Sequence, residues 1–410
     1  MIRILPSQLN GTLNAPASTD HAQKLLFAAA MPPVPTVVKN VPESDDISAT
    51  VACLEAFGCK IAVNGREYTV DPFAKNLPMP TADFDFRDST ITSLIAICMA
   101  GALGYKAECR ADQNLSKRHL VTLSSRMALR GVRFSSFSLP LSLSGRLTPG
   151  EYSFDSEFDG QYIGAMLMAL PLLSGDSTIV VGVPQSDEAP VLQSIDVLER
   201  FGIAVEKTDN GYFVKGRQQY VSPGSVAAEN DWVFASLWTA AAAVCRGSVT
   251  VTGLSENSPQ KKYRDTKALL SMLSQDFEEL RLSAADCPEL AMFFAALAAV
   301  KGAVFSIDGI SQLRALESDS LRIMSDCVRA LGGTAELSDD NYTVRGLMVD
   351  RFPESQVLDC KGDPWVFMSF ALASAVLKKP LTLSDENGAG RLYKNFLSDF
   401  ALLGGQYKTL

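Results

Sequence analysis

The sequence predicts an α/β protein of two domains, in which six copies of one unit place buried helices inside a layer of sheets and outer helices. Three observations predict this fold. Ala-rich helices recur six times along the 410 residues, and each is followed by a glycine or a turn and then by a β-branched run. A second series of helices lies between them and mostly ends in glycine. Most copies are about 70 residues apart, and a fixed period means that one supersecondary unit has been copied, here three times per domain.

The first two copies set the order of buried helix, strand and outer helix. Apolar runs and β-branched runs predict these elements in turn. They are expected over 25–31, 36–39 and 46–57 in the first copy, and over 91–100, 106–110 and 120–130 in the second.

The third copy has the clearest pattern. Residues 161–174 are apolar on nearly every face, which predicts a helix buried on all sides. Residues 190–201 carry apolar side chains at a spacing near 3.6, and Pro190 and Gly202 favour a helix start and a helix stop. A strand is expected over 177–183, and a hairpin over 203–207 and 211–215.

The last three copies repeat this order. The three elements are expected over 234–244, 248–253 and 264–273 in the fourth copy, 290–300, 303–307 and 319–331 in the fifth, and 366–377, 381–383 and 391–403 in the sixth. Across the copies, most outer helices are expected to stop at a glycine, namely Gly58, Gly131, Gly202, Gly332 and Gly404.

The composition is typical of globular domains and disfavours several classes of function. Apolar residues make up 47% and charged residues 20% of the chain, and the net charge of −9 disfavours binding to nucleic acid or to an anionic membrane. No apolar run reaches the roughly 18–20 residues of a membrane span, and residues 1–13 lack the apolar core of a signal peptide. We therefore expect a cytoplasmic monomer without nucleic-acid or membrane partners.

The cysteines and histidines argue against a metal centre. The eight cysteines show no CxxC spacing, and several, such as Cys98 and Cys245, lie in apolar helices, which indicates buried, reduced thiols. His21 and His119 are the only histidines, so few residues are available for a histidine-based zinc site or a Ser-His-Asp triad. We expect neither a metal nor a cofactor.

Six short segments carry a family resemblance. Residues 16–24 resemble P-x-S-K-S-x-x-x-R, residues 313–321 resemble L-R-x-K-E-S-D-R-L, and the others are 43–46, 159–171, 229–243 and 363–368. In order and spacing they resemble the EPSP synthase family, whose members have the enolpyruvyl transferase fold, a two-domain inside-out α/β barrel. The resemblance implies that residues 18–228 form one enolpyruvyl-transferase domain and residues 1–17 plus 229–410 the other, with the active site in the cleft between them.

The resemblance also implies an activity. Family members transfer the enolpyruvyl group of phosphoenolpyruvate to shikimate 3-phosphate, in the shikimate pathway of aromatic amino acid biosynthesis. Both substrates are small, multiply charged anions, which proteins bind through Arg, Lys and helix N-termini.

Seven residues stand where the family has functional side chains. Glu289 stands at the position of the general base, and Glu317 matches the glutamate of the K-E-S-D motif, so both are implied as catalytic. The residues implied as substrate-binding are Lys24, Arg118, Gln161, Asp231 and Arg391.

Other positions depart from the family pattern. The catalytic lysine of the family falls on Thr19, and a second lysine falls on Leu316. Family arginines fall near Leu94, on Ser320 and on Trp365, and family serines fall on Asp20, Asp159 and Gly160. Acidic residues also lie at or just before the buried-helix N-termini, where phosphate would bind: Asp20, Asp88, Asp159, Asp231, Glu289 and Asp363. The family has acids at some of these positions too, so the additions are chiefly Asp20 and Asp159. Such an acid stabilises its helix by ~0.3–1 kcal/mol, whereas a buried carboxylate that faces a dianion costs several kcal/mol.

Three interpretations stay open. The first is a working EPSP synthase with a divergent site, in which Glu289 is the general base and a carboxylic acid protonates the phosphoenolpyruvate methylene. The second is a non-catalytic relative that serves as a binding or scaffold protein. The third is a transferase of the same fold for a less anionic substrate. The departures predict a Kd for shikimate 3-phosphate weaker than ~1 mM.

Overall fold

The computed structural model describes residues 1–72, 80–116, 120–156, 159–185, 188–245, 247–260, 278–283, 290–310, 320–347, 356–384 and 389–410. The chain divides into two compact units. The inserted unit is Ala17–Glu229, and the split unit consists of Met1–Pro16 and Asn230–Leu410. The assignment of 18–228 and of 1–17 plus 229–410 as enolpyruvyl-transferase domains stays a prediction.

Buried and outer helices alternate in both units. The inserted unit contains α1 (Thr19–Ala29), α2 (Asp45–Ala56), α3 (Thr90–Leu103), α4 (Gln113–Ser116), α5 (Val121–Ala128), α6 (Gly160–Ala169) and α7 (Ala189–Arg200). The split unit contains α8 (Trp232–Val244), α9 (Ala291–Lys301), α10 (Ser320–Ala330), α11 (Pro364–Ser374) and α12 (Phe396–Leu402). The helices buried along most of their length are α1, α3, α6, α8, α9 and α11. Within the described residues, no helix is long and apolar enough to cross a membrane.

The strands are short and belong to six sheets. Those of the split unit are β1 (Ile2–Leu5), β2 (Asn10–Asn14), β15 (Ser248–Thr252), β16 (Glu279–Ser283), β17 (Val304–Asp308), β18 (Thr334–Leu337), β19 (Asn341–Arg345), β20 (Val357–Asp359), β21 (Leu381–Ser384) and β22 (Gln406–Thr409). Those of the inserted unit are β3 (Thr36–Lys39), β4 (Lys60–Asn64), β5 (Glu67–Asp71), β6 (Thr81–Asp85), β7 (Lys106–Arg110), β8 (Val132–Phe134), β9 (Leu141–Gly145), β10 (Glu151–Phe154), β11 (Ser177–Val181), β12 (Val205–Thr208), β13 (Gly211–Val214) and β14 (Ser225–Ala227).

Three sheets contain the repeat in full. Their strand orders are β6-β7-β9-β8, β10-β11-β13-β12 and β16-β17-β19-β18. In each, the first two strands pair in parallel and the other neighbours are antiparallel. Parallel neighbours need a crossover connection, and the buried helices α3, α6 and α9 supply it, because each lies between the two strands in the chain. The unit is therefore βαβαββ, and it contains the buried helix, strand and outer helix in the order that the sequence predicts.

The other sheets complete the same pattern with a strand from elsewhere in the chain. Their orders are β14-β3-β5-β4 in the inserted unit and β20-β21-β1-β22 in the split unit. The sixth sheet, in the part of the chain described, consists of β15 paired in parallel with β2. Three sheets therefore belong to each unit, which confirms the predicted α/β fold of six repeats.

Each unit has its own hydrophobic core. In the inserted unit the core lies around α1, α3 and α6, and it includes Phe27, Met99 and Met166. In the split unit it lies around α8, α9 and α11, and it includes Trp238 and Phe294. Helices that are apolar all round can fill such a core because they bury every face.

A close helix contact positions α7 against α6. A Cβ atom on Gly164 would lie 2.8 Å from the Ser194 Oγ and 2.9 Å from the Pro190 carbonyl oxygen, so only glycine fits without moving α7. This contact matters for function because α7 also carries Gln193 and Asp196, whose side chains contact α1.

The predicted glycine stops are confirmed. Gly58, Gly131, Gly202, Gly332 and Gly404 have φ angles between +75° and +98°, a left-handed region that favours glycine. Four of the outer helices end two residues before the glycine, and α5 ends three residues before Gly131.

Two predicted elements differ from the structure. Helix α1 begins at Thr19, not near residue 25, because the Ser18 side chain accepts the His21 N–H and caps the helix. The helix expected over 391–403 is a 3-10 turn, Ala389–Arg391, followed by α12, since Asn395 leaves the helical conformation at φ −90° and ψ 8°. The outer helix expected over 264–273 lies outside the described residues.

Most cysteines of the described chain are buried thiols. The seven cysteines in the described chain are free, and six of them are buried. Burial raises the pKa of Cys109 and of Cys245 to about 12, so the reactive thiolate is disfavoured. Groups of His, Cys, Asp and Glu that could hold a metal ion are absent from the described residues.

Candidate active site

The described residues include part of the predicted site. Arg118, Glu289 and Glu317 lie outside them. Arg391 is the last residue of the 3-10 turn of the split unit, and the structure describes its backbone but not its side chain. Lys24 and Gln161 belong to the inserted unit, and Asp231 belongs to the split unit.

Lys24 is a buried cation on α1, with 2% of its surface exposed. Its Nζ donates to the Oε1 of Gln193 on α7 at 2.9 Å. The Nε2 of the same amide donates to the Oε1 of Glu229 at 3.1 Å. Because a buried ammonium group needs polar partners, this amide helps to hold Lys24 inside the unit.

Helix α1 is fixed in place by a second buried amide. The Nε2 of Gln23 lies within hydrogen-bond distance of three hydroxyl oxygens: Thr50 at 3.1 Å, Ser89 at 2.9 Å and Thr92 at 2.8 Å. These hydroxyls belong to α2 and to the N-terminal end of α3. The cluster therefore sets the position of the helix that carries Lys24.

His21 also faces inward from α1. Its Nδ1 accepts the backbone N–H of Glu229 at 2.9 Å, so the ring proton must reside on Nε2. The Nε2 lies 3.3 Å from the Oδ2 of Asp196, which also pairs with Arg200 at 2.8 Å. Although burial raises the pKa of Asp196, its contacts with His21 and Arg200 lower it more, so the net shift is downward. Asp196 is therefore a carboxylate at neutral pH.

Gln161 and Asp159 lie at the N-terminal end of α6. Gln161 is half-buried in the first turn, and Asp159 is buried just before the helix. The Oδ2 of Asp159 accepts the Ser156 N–H at 3.0 Å and makes no capping hydrogen bond to α6. Burial raises the pKa of the Asp159 carboxyl group, which means that the fold disfavours negative charge at this point.

Asp231 and Asp363 cap helices of the split unit. The Oδ1 of Asp231 accepts the N–H groups of Val233 at 2.8 Å and Phe234 at 3.1 Å. The Oδ1 of Asp363 accepts the Val366 N–H at 2.9 Å, and its Oδ2 accepts the Ser320 hydroxyl. These backbone donors are the groups with which a helix N-terminus binds an external anion. At α8 and α11, acids of the chain itself already bind them.

Two further acids of the inserted unit lie near helix starts. Asp88 accepts the Leu115 N–H at 2.9 Å and so holds the segment that contains α4. Asp20 lies in the first turn of α1, where an acid stabilises the helix dipole.

An aromatic cluster lies where the resemblance expects an anion-binding arginine. Trp365, half-buried in the first turn of α11, stacks on Phe234 of α8 with ring centroids 5.6 Å apart and planes 17° apart. Phe234 packs in turn against Tyr393, at 4.9 Å. The Tyr393 hydroxyl donates to Asp399 and accepts the Trp238 indole N–H at 3.3 Å. Burial raises the pKa of both Tyr393 and Asp399.

Three of these residues escaped prediction. Gln193, Glu229 and His21 were not expected to belong to the site, yet they surround Lys24 and its helix. Gln193 gives a signal that could have been used, because it is a polar residue within the apolar stripe of α7, buried between Val191 and Val197. A polar side chain at a core position needs a partner, and here the partners are Lys24 and Glu229.

The arrangement supports limited chemistry. In the inserted unit, Lys24 offers one positive charge and Gln161 one amide. In the split unit, the described residues offer carboxylates and aromatic rings around α8 and α11. An ammonium group can pair with a small anion, and aromatic rings can pack against apolar or aromatic groups.

Six sheets around buried helices, three sheets in each of two units, define the enolpyruvyl transferase fold, and three of these sheets contain the βαβαββ unit in full. Within that class the chain has a specific place. It matches the family model described as EPSP synthase (3-phosphoshikimate 1-carboxyvinyltransferase) over residues 5–400, and it belongs to that family. The predicted family resemblance is confirmed.

The chain is similar to curated enzymes over nearly its full length. It is 27% identical to the 3-phosphoshikimate 1-carboxyvinyltransferase of Saccharolobus solfataricus over 390 residues, which are 91% of this chain and 92% of the relative. It is 25% identical to the enzyme of the same name from Clostridium novyi, over 98% of this chain and 97% of the relative.

Solved structures share the fold. EPSP synthase from Acinetobacter baumannii matches with a TM-score of 0.78 and 17% identity, covering 100% of this chain and 99% of that one. The enolpyruvyl transferase NikO from Streptomyces tendae matches with a TM-score of 0.72 and 16% identity, over 99% of this chain and 98% of that one.

Proposed function

We propose that this chain is an EPSP synthase family member that binds a small anion through Lys24 but does not transfer the enolpyruvyl group from phosphoenolpyruvate to shikimate 3-phosphate at an enzymatic rate. One observation carries the proposal. Trp365 stands where the family resemblance expects an arginine, and it stacks on Phe234 with centroids 5.6 Å apart. The ring brings no positive charge, and a charged hydrogen bond of an arginine contributes roughly 1.5–3 kcal/mol.

Two further observations support the proposal. Asp159 stands where the family resemblance has a serine, so the N-terminal end of α6 carries a buried acid where a phosphate would need a hydrogen-bond donor. Thr19, at the position of the catalytic lysine in the family resemblance, adds no charge next to Asp20 in the first turn of α1. Among the described side chains that stand at functional positions of the family, Lys24 supplies the positive charge.

Calorimetry and a phosphate-release assay test the proposal together. We expect shikimate 3-phosphate to bind with a Kd weaker than ~1 mM, alone or with phosphoenolpyruvate, and phosphate release to stay at background. The Saccharolobus solfataricus relative serves as the positive control. Micromolar binding with phosphate release on turnover would instead establish the working enzyme, in which Glu289 and Glu317 are catalytic and Lys24, Arg118, Gln161, Asp231 and Arg391 bind the substrates.

Restoring charge gives a second test. We expect Trp365→Arg to tighten phosphoenolpyruvate binding about tenfold, which corresponds to ~1.4 kcal/mol. Trp365→Gln is the matched control, since it removes the ring without adding charge. The pair Thr19→Lys and Leu316→Lys restores two lysines of the family motifs, and a gain of phosphate release in that variant would support loss of charge as the cause of inactivity.

A transferase for a less anionic acceptor is the second candidate. The aromatic cluster favours it, because the half-buried Trp365 ring, packed on the buried Phe234 ring, brings an aromatic group in place of a positive charge, which suits a neutral or ring-bearing substrate. Phosphate release from phosphoenolpyruvate, measured against neutral and singly charged hydroxylated acceptors, tests this candidate. Release with one of them, and none with shikimate 3-phosphate, would replace the first proposal. The monomeric state and the cytoplasmic location stay predictions.

A further inference from the structure

Glu229 is the residue at which the chain leaves the inserted unit, and that unit holds it from three sides. Its carbonyl oxygen accepts the Ser18 N–H at 2.8 Å. Its own N–H donates to the Nδ1 of His21 at 2.9 Å. Its side-chain Oε1 accepts the Nε2 of Gln193 at 3.1 Å. The backbone of Glu229 is therefore bound to α1 and to its cap Ser18, and its side chain is bound to α7.

Gln193 joins this residue to the proposed anion ligand. Its Oε1 accepts from Lys24 at 2.9 Å, while its Nε2 donates to Glu229, and the side chain is 4% exposed. The amide has one possible orientation here, because an ammonium group has no acceptor and a carboxylate has no donor. The three side chains form one hydrogen-bonded chain from cation to carboxylate.

We propose that Gln193 is a positioning residue that couples anion binding at Lys24 to the hold of the inserted unit on Glu229. The inference rests on the proposed role of Lys24 as an anion ligand, but not on whether any substrate is turned over. It adds a residue and a coupling that the family resemblance does not include.

The physical basis is polarisation along the chain of hydrogen bonds. The Lys24 ammonium group polarises the Gln193 amide and strengthens its hydrogen bond to Glu229. An anion that accepts from the same ammonium group draws it away from Gln193 and reduces that polarisation. The inserted unit then binds Glu229 less tightly. The exchange rate of the Glu229 backbone N–H, which donates to His21, reports the change. The loss of one net hydrogen bond corresponds to a roughly two- to tenfold increase in the hydrogen-exchange rate of that amide.

Hydrogen exchange of the peptide that contains Glu229 measures the coupling. The probe is inorganic phosphate at millimolar concentration, compared with sodium chloride at equal ionic strength. We expect phosphate to speed exchange of this amide two- to tenfold, roughly, in the unmodified protein, and to have no effect in Lys24→Met. Calorimetry on the same samples records whether phosphate binds.

Variants of Gln193 separate coupling from folding. In Gln193→Leu, phosphate should still bind, and exchange at Glu229 should be fast with or without it. Gln193→Glu keeps an acceptor for Lys24 but cannot donate to Glu229, so it serves if the leucine variant fails to fold. Ser194→Ala, on the same buried turn of α7, is the matched control and should keep the phosphate effect.

Three results would overturn the inference. They are phosphate binding without any change at Glu229, a phosphate effect that survives in the Gln193 variants, and no phosphate binding at all. The first two results would overturn the coupling alone, whereas absent phosphate binding would also overturn the anion-binding role of Lys24 in the proposed function. None of the three depends on phosphate release from phosphoenolpyruvate.

Discussion

Asp159 is the residue at which burial and charge oppose each other most directly. Its pKa is raised from the ordinary 3.8, chiefly by burial, so the folded state holds the proton more tightly than the unfolded chain does. Its contribution to stability is therefore most favourable below the ordinary value and is lost as the pH rises through the raised one. At neutral pH the ionised carboxylate lowers the free energy of unfolding.

Asp159→Asn should remove this penalty. The amide oxygen can still accept the Ser156 N–H, so we expect the variant to be at least as stable as the unmodified protein at pH 7. The difference in stability between the two proteins should shrink as the pH falls through the raised pKa of Asp159, and it should be lost below 3.8. Urea unfolding across this pH range measures it, and Asp155→Asn at the exposed neighbour is the control. A variant that is less stable at pH 7 would mean that the fold favours the carboxylate.

At a helix N-terminus an acid can act in two ways, as a cap that accepts backbone N–H groups and as a negative charge. At α11, Asp363 caps the helix through the Val366 N–H and also accepts the Ser320 hydroxyl from α10. We expect Asp363→Ala to lower the free energy of unfolding by about 0.5–2 kcal/mol, the usual cost of a lost N-cap. Asp363→Asn keeps an acceptor and should retain most of that stability. Urea unfolding of both variants measures the cap, and equal losses would show that charge, not capping, is what matters there.

The same elements explain how far the sequence could predict the structure. The repeat, its glycine stops and most strands followed from apolar periodicity, because these patterns reflect which faces are buried. The predicted start of α1 was wrong. Ser18 caps the helix, and the six residues that follow it are polar or weakly apolar and carry no strong periodic signal. The link from Lys24 through Gln193 to Glu229 joins residues far apart in the chain, and local patterns contain no information about such pairings.

At the scale of the whole molecule, the two units differ in how they are assembled. The three sheets of the inserted unit use strands from within Ala17–Glu229, and its ends meet through the Ser18 N–H and the Glu229 carbonyl oxygen. The split unit depends on the first residues of the chain. Strand β1 lies between β21 and β22, with Ile4 fully buried, and β2 pairs with β15. The folding of this unit therefore requires a segment that lies far away in the sequence.

This dependence predicts the behaviour of fragments. We expect residues 17–229 to fold alone with a cooperative urea transition, and residues 230–410 alone to lack one, because removing β1 leaves β21 and β22 without their common neighbour. Joining residues 1–16 to residues 230–410 through a short Gly-Ser linker should restore the transition, since the Asp231 N–H already donates to the Pro16 carbonyl oxygen at 2.7 Å. Circular dichroism and urea unfolding compare the three fragments. If residues 230–410 alone unfold with the same midpoint and slope as the joined fragment, β1 and β2 are dispensable, and the split unit is an independent domain without them.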